Sequence, residues 1–168
     1  MTDAAVKGQF AEELAELHDG SISLFVTLPV FRSLLVSEQR ASALQAFESL
    51  IAEHLAHLDG ILGDVLVRRD RSDGHLTASL FRSIAELRLR PASPQRDNEI
   101  LELVSQAQLF LMGSCGFALR YAKQAGVQRS ASVLQDSLTR IGTFAVQLVA
   151  SQWDAGARSQ VGMSNAVA

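Results

Sequence analysis

The sequence predicts an all-α protein: a four-helix bundle with one extra short helix between the second and third long ones. Three observations point there. Apolar residues recur at alternating spacings of four and three along four long segments, the pattern of helices packed in a bundle. Only three prolines and eleven glycines interrupt 168 residues, too few for a turn-rich β fold. The polar connectors between the segments are short, which makes sequential helices antiparallel neighbours.

The first helix starts after Thr2 or Asp3, either of which can cap it. Its seam is Phe10, Leu14, Leu17, Leu24, Leu28, Phe31 and Leu35, with Ser21 in the one non-apolar position. Pro29 falls inside the pattern and predicts a kink or a break. Ser37 caps the second helix, whose seam is Leu44, Phe47, Ile51, Leu58, Ile61 and Val65. A charged connector, Arg68 to Gly74, leads to a short helix over about Leu76 to Leu89. Pro91 and Pro94 stop that helix, and Ser93 to Asp97 read as a loop.

The fourth helix, Asp97 to Gln124, carries the seam Leu101, Val104, Gln108, Leu111, Cys115, Ala118, Ala122 and Ala125, with Gly126 placed to end it. The fifth runs from Arg129 to Gln152, with Leu134, Leu138, Ile141, Ala145 and Leu148 inward. Residues 1–152 therefore form one domain, and 153–168 are expected to be a flexible tail. The passage from the second to the fourth helix either crosses the bundle end or reverses direction.

Composition narrows the function classes. A net charge of −3 gives no global attraction for nucleic acid or an anionic membrane. No run of about 18 apolar residues predicts a membrane span. The single cysteine excludes an internal disulfide and a cysteine-based zinc site, in keeping with a cytoplasmic location.

Leu17-His18-Asp19-Gly20-Ser21 leading to Thr27-Leu28-Pro29, then Phe47 with Leu50-Ile51-Ala52-Glu53-His54 and His57, resembles the YciF-like branch of the ferritin-like superfamily. Cys115-Gly116-Phe117-Ala118 and Ala122-Lys123-Gln124-Ala125-Gly126 run in step with that family's fourth helix, and the likeness covers roughly residues 8 to 152. The resemblance implies a ferritin-like bundle, a homodimer and an association with stress. It also implies metal-binding carboxylates and histidines pointing inward. At those positions this chain has Ser21, Leu50, Gln108, Leu111 and the stretch Thr139 to Ile141, and only Glu53 remains acidic. Two ions with about four positive charges need more anionic oxygen than one glutamate supplies. The expectation is a non-catalytic bundle with no cofactor, whose core is packed shut across the former site.

Two other readings stay open. A reduced metal site would use Glu53 and His57, one turn apart on the second helix, with Asp19 or Glu16 from the first. His54, Asp59 and Glu48 lie nearby in sequence. Alternatively the vacated centre is an apolar pocket for a small ligand. Otherwise Glu53 is partly buried and paired with Arg140, His57 or Gln108. His18 and Asp19, being adjacent, point about 100° apart and do not form a catalytic pair. Cys115 reads as a buried structural thiol. Arg68, Arg69 and Arg71, with Arg82, Arg88 and Arg90, read as solvated charge without the interleaved aromatics that single strands need. Gly113 and Gly116 suit a close helix crossing. Phe25, Phe31, Phe81, Phe110 and Phe117 are core by periodicity or lie at a subunit contact.

Overall fold

The computed structural model describes residues 3–65 and 75–164. Thr2, the connector Arg68 to Gly74 and residues 165–168 lie outside them. Among the described residues the chain is helical throughout, with no strand: α1 Asp3–Leu34, α2 Glu38–Val65, α3 His75–Arg88, α4 Pro94–Gln124 and α5 Gln128–Ser164.

The seams form the core. Phe10, Leu14, Leu17, Leu24, Leu28 and Phe31 of α1 are buried against Leu44, Phe47, Ile51 and Leu58 of α2, Leu101, Val104 and Leu111 of α4, and Leu134 of α5. Pro29 does not break α1, which runs on to Leu34. Proline inside a helix costs about 3 kcal/mol. Burial of Leu28 and Phe31 on either side contributes about 1.5–3 kcal/mol each and outweighs it.

Helix ends follow from local chemistry. Ser93 is the N-cap of α4 and accepts from the Arg96 amide at 3.2 Å, with Pro94 in the first turn. The stretch read as a loop from Ser93 to Asp97 is therefore a helix start. Proline needs no donor there, and its fixed φ suits the first turn. At the other end Gly126 adopts φ 71°. Its amide donates to the Lys123 carbonyl, and that of Val127 to Ala122, so two end carbonyls are satisfied by a left-handed residue that glycine takes without strain. The backbone of α5 is helical through Ser164, well past the end expected at Gln152.

Cross-helix pairings fix direction. Between α1 and α2, Arg32 meets Glu48 at 3.6 Å and His18 meets Asp59 at 3.0 Å, so the two run antiparallel. Between α2 and α5, Phe47 stacks on Phe144 with ring centres 4.7 Å apart, and Glu53 meets Arg140, again antiparallel. Between α4 and α5, Gln108 reaches Ile141 and Cys115 reaches Leu134, and α4 packs antiparallel on α1 as well. The four long helices thus pack in a ring, α1–α2–α5–α4. The pairings leave α2 and α4 pointing the same way. The passage between them travels the length of the bundle, and α3 lies along it against α1 and α4.

One end of the ring is closed by consecutive residues of α4. Arg96 donates to the Leu34 carbonyl at the end of α1 and, at 3.0 Å, to the Arg90 carbonyl. The Asp97 carboxylate accepts from the amides of Val36 and Ser37, at 3.0 Å and 2.9 Å, just before α2 begins. An anion at a helix start is favoured by the donors and dipole there.

Among the described residues α4 alone is long and apolar enough to cross a membrane. Its apolar character has two sources: the seam, which lies in the core between α1 and α5, and an outer stripe that does not.

Candidate site at the bundle centre

The inward residues at mid-height are neutral. Ser21 is fully buried, and its hydroxyl donates to the Leu17 carbonyl at 2.7 Å, one turn back on its own helix. Gln108 is buried and its side-chain amide donates to the Ile141 carbonyl of α5 at 2.8 Å. Leu111 and Ile141 are fully buried, and Leu50 packs half-buried against the core. The Ser21 hydroxyl and the Gln108 amide are thus each turned to a backbone carbonyl.

Glu53 lies elsewhere. Its side chain is 56% exposed and pairs with Arg140 of α5 at 2.5 Å. Of the three partners expected for it, Arg140 is the one it meets, but the pair sits on the bundle's flank and not in a partly buried site. The reason is helical phase: Glu53 follows Ile51 by two residues, about 200° round the helix from that core position.

The α2 residue that does point inward is His54, 2% exposed. Neither ring nitrogen has a hydrogen-bond partner. Burial, reinforced by His57 and His18, pushes its pKa down from 6.5 to about 4, so the ring is neutral at neutral pH. The seam signalled this residue. Leu44, Phe47, Ile51, Leu58 and Ile61 skip one turn, and position 54 is where the three-four spacing falls.

The other candidate ligands do not gather. Glu16 and His57 are exposed, and Asp19 is half-buried beside His18, 3.8 Å from it. His18 is buried, with its other nitrogen 3.0 Å from Asp59. The pair absent from sequence reasoning is therefore His18 with Asp59, brought together by the antiparallel packing of α1 and α2. Among the described residues no three of His, Cys, Asp and Glu come together in a group that could hold a metal ion. Cys115 is fully buried, donates to the Leu134 carbonyl at 3.4 Å, and has its pKa pushed up by burial to about 12. A thiol held so firmly protonated is a poor nucleophile.

Among the described residues, clefts lie away from the centre. One, of about 290 Å³, runs between α3 and α4 and is lined by Glu86, Arg90, Glu99 and Glu102. Another lies outside the α1–α2 turn, beside Pro29, Arg32 and Glu38. Of the aromatic residues assigned to core or contact, Phe31 is buried and Phe25 half-buried, whereas Phe81, Phe110 and Phe117 are exposed.

Neither models of known protein families nor curated proteins match this chain.

Proposed function

We propose that the protein is a non-catalytic, ferritin-like helical bundle whose dimetal positions have been taken over by neutral side chains. On this reading it acts as a homo-oligomeric structural, stress-associated or partner-binding protein. The ferritin-like assignment draws support from two sources. One is the resemblance at Leu17 to Ser21, Phe47 to His57 and Cys115 to Gly126. The other is the helix order, with one long crossover between the second and third long helices, as ferritin-like bundles have. The stress association comes from the resemblance alone.

The observation that carries the loss of the metal site is the character of the inward layer: Ser21, His54, Gln108, Leu111 and Ile141, with no carboxylate among them. Ferritin-like sites draw several carboxylates into this layer from facing helices, because two divalent ions need anionic oxygens to offset their charge. A single neutral imidazole does not replace them.

Metal analysis of the full chain, purified without chelator, tests the reading. The expected result is substoichiometric iron, manganese and zinc, unchanged in Glu53→Ala and in His54→Leu. Stoichiometric metal that disappears in either variant would overturn it, and a loss confined to Glu53→Ala would restore the reduced site with His57 and a helix α1 acid.

A further inference from the structure

The outer face of α4 carries an apolar stripe that remains exposed among the described residues. α3, packed mainly on α1, flanks the N-terminal half of this face across a cleft lined by Glu99, Leu103 and Gln106, and leaves Glu102 exposed. Further along, Leu109 is 64% and Phe117 54% exposed, with Phe110 also exposed. Between them sit Gly113 and Gly116, in mid-helix, where glycine lowers helix stability. A Cβ built on either glycine would meet nothing within 4 Å. Nothing among the described residues therefore requires a small residue at these two positions.

We infer that this face is where a second copy of the chain docks, α4 against α4, antiparallel about a two-fold axis at the level of Leu111. Two independent features select the same register. Glu102, Leu109, Gly113 and Arg120 lie along one line of the helix, because Glu102 and Arg120 are five whole turns apart and the other two fall between them at spacings of seven and four. Glu102 precedes Leu111 by as much as Arg120 follows it, and both are exposed. A two-fold axis there sets each Glu102 against Arg120 of the second copy. The same operation sets each Leu109 against Gly113 of the second copy, a large side chain over a position with none. Acid meets base and knob meets hole in one arrangement, which is the self-complementarity that a two-fold contact demands. A parallel pairing would instead oppose acid to acid.

This inference rests on the homo-oligomeric reading above and goes beyond it by naming the face and the register. The test is the mass of the full chain in solution by light scattering and sedimentation, with dissociation followed on dilution. The expected result is twice the 18.2 kDa of one chain. Gly113→Leu should give a monomer whose helical signal and melting are retained or improved, since leucine is the better helix former. Glu102→Arg and Arg120→Glu should each weaken the dimer by roughly tenfold, and the two together should restore it to within about threefold, since the swap rebuilds each cross-pair. A wild-type monomer at every concentration would overturn both this inference and the homo-oligomeric reading. A dimer indifferent to Gly113→Leu would overturn the inference and leave that reading standing. Full restoration failing in the double swap would remove the register. Flotation of a monomeric wild-type chain with phosphatidylcholine vesicles, abolished by Leu109→Glu, would assign the stripe to a lipid surface instead.

Discussion

Asp97 and His54 are sealed from solvent almost equally, at 1% and 2% exposed, yet they stand in opposite circumstances. Asp97 accepts from the Val36 and Ser37 amides, with the Arg40 guanidinium 4.0 Å away. His54 has no hydrogen-bond partner on either nitrogen. The closed end of the bundle thus holds a buried anion because the start of a helix supplies donors that must otherwise go unpaired. The centre holds a buried imidazole only in its neutral form, because the surrounding seams supply apolar contact and little else. Polar groups survive burial in this protein by being matched or by being discharged.

Breaking the matched region should have the largest effect. Asp97→Ala leaves two amides and the Arg40 guanidinium facing a vacated carboxylate site. It should cost about 3–5 kcal/mol, read from the urea midpoint, whereas Asp97→Asn keeps an acceptor and should cost less. Equal losses for both variants would show that the closed end depends on charge alone and not on the hydrogen bonds.

The discharged region gives a pH signature of similar kind and somewhat smaller size. The folded-state pKa of His54, about 4, lies below the ordinary 6.5, so the unfolded chain takes up the proton first as pH falls. The associated stability is complete above about pH 6.5 and is lost progressively down to about 4, roughly 3 kcal/mol in all. His54→Leu should remove that slope while raising stability at neutral pH by about 1 kcal/mol, since an unpartnered polar group is replaced by an apolar one. Parallel stability–pH curves for the two proteins through that window would contradict the burial of an unpartnered ring.

The smallest effect belongs to Glu53, which is charged like Asp97 but exposed. Its pair with Arg140 is screened by water, so Glu53→Gln should change stability by under about 1 kcal/mol and leave the pH dependence set by His54 in place. A larger change would place this pair closer to the Asp97 case than its exposure suggests.

Much of the fold was legible in local pattern. The seams of α1, α2 and α4, the glycine that ends α4 and the Ser37 cap are one-helix properties, and the sequence holds them in the open. His54 was legible too, as the turn that the α2 seam skips. Glu53 shows the opposite error: the resemblance drew it toward the centre, although its phase relative to Ile51 already set it on the flank. Pro94 was misread because proline both stops one helix and starts the next, and only the Ser93 cap before it distinguishes the two roles.

By itself the sequence determined the helices and their inward faces, because each depends on spacing along a single helix. Only the tertiary structure decided that α2 and α4 run the same way, that Asp97 caps a helix 60 residues earlier in the chain, and that Phe110 and Phe117 face outward. Those outcomes depend on which helix lies beside which, and a period of 3.6 residues says which face is apolar without saying what will cover it.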